Sequence, residues 1–372
     1  MNIAFNAQLL SFSKDYRTTG IGLYIMNLLE AIHKTEFPLT ILSSDQTVAE
    51  VYNRFNHILS HERIRNPYMR ILWEQTIQSK LLKESNIDLI HGPMHVNPII
   101  LPKRTASIIT VHDLANFKYP QFYKGAKQKY LTAMTRISAK KADRIIAVSE
   151  STKQDLINVI GIKESKIDVV HNGLNLNIDV GEIDDENIIK KLGLPEKYLL
   201  FVGTMEPRKN ISSILDALLF LAKEKNERYN LVIAGPKGWL FQEIEKKILQ
   251  YQTFGTVKQT GYLSDEELVA VYQNAELFVY PSFYEGFGFP ILESMALGTP
   301  VLCSETSSMP EVGGDAVEYV DPYNYKQLAD KISLITKDTK MRAEMIKEGL
   351  KRSRCFNWNK AAVETIKVYE KI

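Results

Sequence analysis

The chain has 372 residues, 45% of them hydrophobic and 24% charged, with a formal net charge of +2. That length suits about two domains with sizeable cores, and so balanced a charge offers no footprint for nucleic acid. Two distant cysteines, Cys303 and Cys355, make no metal spacing and fit a reducing cytoplasm; no apolar run reaches the roughly eighteen residues of a bilayer span.

From the N-terminus, MNIAFNAQLL lacks a basic leader and is broken by Asn2 and Asn6, so it reads as a first buried strand rather than a signal peptide. Short apolar runs then alternate with amphipathic stretches. Strands are predicted at 2–5, 39–43, 89–91, 107–111, 144–148 and 167–170, and a second series at 198–202, 231–234, 257–259, 277–280, 300–303 and 317–319. Helical periodicity falls between them, for example at 23–33, 151–160, 212–225, 265–274 and 326–336. Ser149 and Ser264 suit N-caps, and Gly298 suits a helix end before the next strand. This alternation predicts an α/β fold with parallel sheets covered by helices on both faces. Two doubly wound, Rossmann-like domains are expected, at 1–175 and 192–354, with a cleft between them. The polar segment 172–191, with NIDVGEIDDENI at its middle, reads as their linker. The closing stretch 355–372 is an amphipathic helix expected to cross back to the first domain.

Four motifs fall at strand ends, where open α/β sheets place their ligands. In the first domain, Thr18-Thr-Gly-Ile-Gly-Leu-Tyr24 opens a helix after the first strand. Its Gly20 and Gly22 suit a phosphate or sugar, or simply close packing of loop on strand. Thr110-Val-His-Asp113 ends a strand, so His112 either meets a substrate hydroxyl or is a satisfied structural histidine; His91 poses the same question with less support. Histidines 33, 57, 61 and 95 suggest nothing. In the second domain, Gly203-Thr-Met-Glu-Pro-Arg-Lys-Asn210 leaves a strand, and its Arg208 and Lys209 suit a diphosphate clamp; the bland reading is a solvated basic pair. The fourth motif is Tyr284-Glu-Gly-Phe-Gly-Phe-Pro-Ile-Leu-Glu293, two glutamates eight positions apart. Pro290 suits a first helical turn. Glu285 then lies at the loop mouth, Glu293 in the first turn, and Gly286 and Gly288 bring free amides to an anion. The bland alternative is a dipole-complementing Glu293 and a solvated Glu285. A glycosidase pair is disfavoured, because both glutamates sit beside the expected anion. No Asp-x-Asp, Walker loop, His-Glu-x-x-His or Gly-x-Ser-x-Gly occurs, so no metal site is expected and diphosphate charge falls to Arg208, Lys209 and helix-start amides.

Taken together, GTMEPRKN, AGPKGW, GYLSDEEL, PSFYEGFGFPILESMALGTPV and PEVGGDA, with TTGIGLY, WEQ, TVHDL and DRIIAVSESTKQDL before them, resemble the retaining, nucleotide-sugar-dependent glycosyltransferases of family 4, which have the GT-B fold. The resemblance covers nearly the whole chain, and implies that the first domain, 1–175, takes the acceptor side and the second, 192–354, binds the nucleotide sugar. It implies that Glu285 holds a hydroxyl of the donor sugar, that the backbone from Phe287 through Gly288 to Phe289 touches sugar and diphosphate, and that Glu293 bonds the ribose. Lys209 and Arg208 would neutralise the diphosphate, Tyr262 and Leu263 after Gly261 would face the base, His112 would meet the donor sugar, and Gly20 and Gly22 would line the phosphate and sugar. Many members carry arginine where this chain has Thr204, and often where it has Leu23. The implied activity is transfer of a hexose, mannose from GDP-mannose above dTDP-rhamnose or a UDP-hexose, to a glycan or lipid-linked hydroxyl in surface polysaccharide or lipopolysaccharide synthesis. It implies retention of configuration, no cofactor and no metal. The alternative is a non-catalytic nucleotide-sugar-binding protein on the same fold. Location is expected in the cytoplasm, with peripheral membrane contact through basic and aromatic residues in 54–83 as one option and a solvated helix and loop as the other.

Overall fold

The computed structural model describes residues 1–10, 20–60, 67–123, 125–174, 184–239 and 241–372. Thr18 and Thr19, residues 61–66, and residues 175–183 of the expected linker lie outside them. The chain forms two compact units, Met1–Gly173 with Asn357–Ile372, and Leu174–Phe356.

The first unit holds a seven-stranded parallel sheet. Its strands are β1 (Ile3–Asn6), β2 (Thr40–Ser43), β3 (Asn56–Leu59), β4 (Leu89–Gly92), β5 (Ala106–Val111), β6 (Arg144–Ala147) and β7 (Ile167–Val169), in the spatial order β3-β2-β1-β4-β5-β6-β7. Sheets of this kind are buried on both faces, so their central strands are continuous apolar runs; β1 and β4 are buried at every position. The edge strand β3 was not anticipated. Its NHIL is partly exposed throughout and lacks the apolar run of its neighbours. Helix Gly20–Lys34 buries Tyr24, Ile25, Leu28, Leu29 and Ile32 at helical spacing against β1 and β2. The C-terminal helix, Trp358–Tyr369, is shorter than the stretch expected at 355–372 and packs Ala361, Ala362 and Tyr369 into the same core. Gly173 permits that seat, because a Cβ there would meet the Trp358 nitrogen at 2.4 Å.

The second unit holds a six-stranded parallel sheet: β8 (Leu199–Val202), β9 (Leu231–Ala234), β10 (Val257–Gly261), β11 (Leu277–Tyr280), β12 (Val301–Ser304) and β13 (Glu318–Val320), ordered β10-β9-β8-β11-β12-β13. Helix Ile211–Glu224 buries Ile211, Ile214, Leu215, Leu218 and Leu221 on one face. Ser264 caps helix Asp265–Gln273 reciprocally with Glu267, and Ser149 caps Glu150–Asp155 by accepting from the Thr152 amide. That helix continues as a π turn over Leu156–Ile160. Gly298, at φ 76°, follows helix Phe289–Ala296. The linker reading fails for 184–191: Asp184 caps a helix, Asp185–Leu192, in the second unit. Its acidic first turn and basic last turn complement the helix dipole. No helix among the described residues is long and apolar enough to cross a membrane.

Candidate functional site

Open parallel sheets leave a crevice at the carboxyl ends of the two neighbouring strands where the order reverses. In the second unit these are β8 and β11. Residues 203–210 leave the first and residues 281–288 leave the second.

The first loop is shaped by its backbone. Gly203 has φ 142° and Gly235, after β9, has φ 139°. A Cβ on Gly235 would stand 2.2 Å from the Gly203 carbonyl oxygen, so only glycine allows the two loops to touch. The Gly235 amide donates to the Gly261 carbonyl at 2.9 Å, which draws the turn carrying Tyr262 and Leu263 to the same sheet edge. Tyr262 is exposed there and Leu263 is buried. Pro207–Lys209 forms a single 3-10 turn, and Asn210 follows in the left-handed region at φ 57°. Helix Ile211–Glu224 therefore begins with Asn210 as its N-cap residue, before the expected Ser212. The Asn210 side chain makes no cap. It donates instead to the carbonyls of Pro281 (3.0 Å) and Pro322 (2.8 Å), tying the two loops together.

That tie brings the charged groups into one cluster. Arg208 donates to Glu206 at 2.6 Å, to Glu285 at 3.0 Å and to the Tyr284 carbonyl at 2.6 Å. Lys209 donates to the Tyr280 hydroxyl at 2.5 Å and to the other Glu285 oxygen at 2.7 Å. Two cations thus face two carboxylates, so the expected free diphosphate clamp is already internally paired. The placement of Glu285 at an open loop mouth is corrected as well: it is 8% exposed. Burial pushes its carboxyl up, but the charges and hydrogen bonds of Arg208 and Lys209 outweigh burial and hold it at about 2. Glu206 goes the other way, because burial raises it beyond what Arg208 and Lys209 lower it.

The second loop is braced from behind. The Glu285 amide donates to Ser307, and Ser308 donates to the carbonyls of Glu285 (2.9 Å) and Phe287 (2.7 Å). Gly286, Phe287 and Gly288 are buried, and Phe287 packs edge-on against Phe289. Gly288, at φ 116°, is the N-cap residue of helix Phe289–Ala296, with Pro290 in its first turn. The amides of Gly288 and Phe289 have no acceptor among the described residues. Glu293 lies in the second turn, not the first: the helix starts at Phe289 and its first turn holds no acid. Its carboxylate accepts from the Tyr272 hydroxyl at 3.2 Å. Burial first, with Asp265 adding to it, pushes Glu293 up to about 7.

In the first unit, the order reverses between β1 and β4. His112 follows β5 immediately. Its Nε2 lies 2.8 Å from the Pro93 carbonyl, which can only accept, so Nε2 carries the proton and Nδ1 is left as an acceptor. Its backbone amide donates to His95 Nε2 at 3.1 Å, and the two rings stack at 5.5 Å. Burial, then the His95 charge, pushes His112 down to about 4, so the ring is neutral at pH 7. Gly22 lines the cavity beside His112, and Gly20 is exposed at the start of helix Gly20–Lys34. His91 is a satisfied structural histidine. Its Nδ1 meets the Tyr369 hydroxyl at 2.7 Å and its Nε2 meets Thr110 at 2.8 Å.

Sequence reasoning passed over Glu206, Tyr280, Asn210 and His95. Glu206 carried a signal, standing two places before Arg208 in a loop already singled out. Tyr280 ends an apolar strand and looks like core; His95 is a lone histidine in a loop. Among the described residues no group of three or more His, Cys, Asp or Glu is gathered as metal ligands.

Comparison with known proteins gives two family matches. Residues 184–352 match the family described as Glycosyl transferases group 1, and residues 18–178 match Glycosyltransferase Family 4. The chain is 30% identical over 377 aligned residues to O-antigen chain mannosyltransferase B of Escherichia coli, covering 95% of this chain and 97% of that protein. It is 28% identical to O-antigen chain mannosyltransferase RfbU of Salmonella typhimurium, over 68% of this chain and 69% of that protein. The crystal structure of Anabaena Alr3699/HepE in complex with UDP-glucose superposes with a TM-score of 0.72 over 100% of both chains, at 17% identity, a likeness of fold.

Proposed function

Because the chain belongs to the family 4, group 1 glycosyltransferases, we propose that it transfers mannose from GDP-mannose to a hydroxyl of a surface glycan or its lipid-linked precursor. Configuration is retained, and no metal or other cofactor takes part. The relatives named as O-antigen mannosyltransferases support the sugar and the setting. The observation that carries the reading is the Glu206–Arg208–Glu285–Lys209 cluster at the strand reversal of the second sheet.

The chemistry follows from what the cluster does to charge. Glu285 and Glu206 hold Arg208 and Lys209 in fixed directions before substrate arrives, so little reorganisation is needed when the diphosphate departs. The amides of Gly288 and Phe289, which have no acceptor among the described residues, add donors at a helix start. Glu293 accepts from the ribose hydroxyls. Glu285, held ionised, accepts a sugar hydroxyl beside its two cations. His112, fixed as the Nε2–H tautomer, offers Nδ1 to a sugar hydroxyl and has no proton to give at neutral pH. No carboxylate is therefore assigned as nucleophile. The acceptor oxygen bonds to the anomeric carbon, the bond from that carbon to the diphosphate oxygen breaks, and the acceptor proton passes to the departing diphosphate on the same face.

Thermal-shift titration of the full chain with GDP-mannose, dTDP-rhamnose and UDP-glucose tests the donor. At ten times the dissociation constant, a ligand stabilises by about 1.4 kcal/mol. The expected order puts GDP-mannose first, followed by mannosyl transfer with an α-configured product by NMR. A larger shift with another nucleotide sugar, or an inverted product, refutes the reading.

A further inference from the structure

Strand β11 reads Leu-Phe-Val-Tyr and is buried at every position. Phe278 and Tyr280 share one face of it. Their rings stack at 5.4 Å, and Phe201 of β8 lies against Tyr280 at 5.8 Å. A phenylalanine would fill that place as well, so what sets Tyr280 apart is a hydroxyl at the sheet edge where the strand order reverses. Buried phenols normally find a partner; those of Tyr198, Tyr251 and Tyr319 donate to backbone carbonyls. The Tyr280 hydroxyl instead meets two charged side chains, Lys209 Nζ at 2.5 Å and Glu285 Oε1 at 3.0 Å.

Chemistry fixes the direction of each bond. An ammonium only donates, so the hydroxyl accepts from Lys209. Glu285 is ionised and only accepts, so the single phenolic proton goes to its Oε1. Lys209 donates to the same Oε1 at 2.7 Å, which closes a triangle of three atoms. Burial, then the Glu285 charge, pushes the Tyr280 phenol well above its usual value. It therefore keeps its proton at neutral pH and takes no part in proton transfer.

The triangle limits the freedom of the ammonium. Lys209 stands on the single turn Pro207–Lys209, and its charge sits at the end of a flexible four-carbon stem. Held by Glu285 alone, the ammonium can swing about that one bond and point its other protons anywhere on a cone. A second acceptor removes the swing: with two N–H directions fixed, tetrahedral geometry fixes the third. Tyr280 suits this task because its ring is clamped in the sheet core, which leaves the hydroxyl at the end of a rigid lever.

We propose that Tyr280 is a positioning residue, which acts through Lys209 by aiming its third N–H at the departing diphosphate. The target of that N–H rests on the transferase reading above; the restraint on the ammonium does not. A diphosphate gains charge as it leaves, so an aimed donor is worth more in the transition state than in the bound donor complex. Tyr280 therefore bears on kcat more than on donor affinity.

The test has two readouts on the full chain. In the first, proton–nitrogen correlation NMR of the lysine ammonium groups is recorded without substrate, and the Lys209 signal is identified by its loss in Lys209→Ala. The wild type is expected to show that signal slow to exchange with water. Tyr280→Phe, which keeps the ring packing, is expected to speed the exchange about tenfold or more. The second readout is a double-mutant cycle on mannosyl transfer from GDP-mannose, with melting temperature as the folding control. Tyr280→Phe is expected to lower kcat about tenfold or more, to change donor affinity less than about threefold, and to cost nothing further when added to Lys209→Ala. A hydroxyl that merely stabilised the fold would lower both backgrounds alike. The proposal is overturned if the wild-type Lys209 ammonium exchanges as fast as those of exposed lysines, if Tyr280→Phe leaves kcat unchanged, or if the two substitutions add. The first of these outcomes needs no folded variant at Tyr280. Absence of mannosyl transfer by the wild type, with Tyr280-dependent protection of the ammonium intact, sinks the donor reading and leaves Tyr280 as the residue that fixes Lys209.

Discussion

Lys209→Ala is the sharpest test of the charge cluster. Two of the three ammonium protons of Lys209 go to Tyr280 and Glu285, leaving one for a ligand. Removing the side chain does not orphan Glu285, whose second oxygen keeps Arg208 at 3.0 Å. The stability cost is therefore that of a charge-assisted hydrogen bond, about 1.5–3 kcal/mol, not that of an unpaired buried charge. The variant should fold. Transition-state stabilisation is a separate matter, because Arg208 alone then faces the diphosphate. A hundredfold loss in kcat/KM corresponds to about 2.7 kcal/mol, within reach of one lost charged contact in a largely buried site, and the loss is expected to be at least that large. The assay is transfer of labelled mannose from GDP-mannose, with melting temperature as the folding control. A folded variant with turnover near wild type would refute the clamp.

Three further outcomes are expected. Glu293 is raised from 4.5 to about 7, so the folded state favours its protonated form: its stabilising contribution is full below pH 4.5, falls as pH climbs to about 7, then levels. Donor affinity should move oppositely, strengthening through pH 7 as the ionised carboxylate becomes the better acceptor, and Glu293→Gln should flatten that dependence; a donor titration whose pH profile survives the substitution removes Glu293 from the grip. Gly235→Ala forces a Cβ against the Gly203 carbonyl at a φ of 139° and should cost about 2 kcal/mol or more, read as a fall in the urea midpoint; an unchanged midpoint would show that the loop relaxes freely. Tyr369→Phe removes the hydroxyl 2.7 Å from His91 and leaves a fully buried nitrogen unmet, for about 1–3 kcal/mol, measured by urea unfolding of the full chain.

Much of the fold was legible because central parallel strands advertise themselves. Residues 231–234 and 277–280 match β9 and β11 at both ends, since each is a short apolar run bounded by turn residues. Where that rule weakens the reading weakens: β3 is an edge strand with half-exposed positions, so NHIL did not stand out. The second-unit loops were legible through glycine, proline and position at a strand end. Their electrostatic state was not. Arg208 and Lys209 look like free cations in sequence, and only the meeting of two loops far apart in the chain shows that Glu285 binds both. The same holds for His95, whose use depends on a stacking contact with His112 across 17 positions of chain.

The two sheets repeat one topological device and give it different electrostatics. At the reversal in the second unit, the cations are buried against carboxylates that hold them in place, so on the proposed reading a dianionic leaving group would meet donors already aimed. At the reversal in the first unit, His112 is neutral at pH 7, and among the described residues beside it Arg70 is accompanied by Glu74 and Asp113. An enzyme that moves an uncharged sugar away from a diphosphate gains from this division. On the proposed reading, the diphosphate is drawn to the paired Arg208 and Lys209, where its charge is met by groups that need not move.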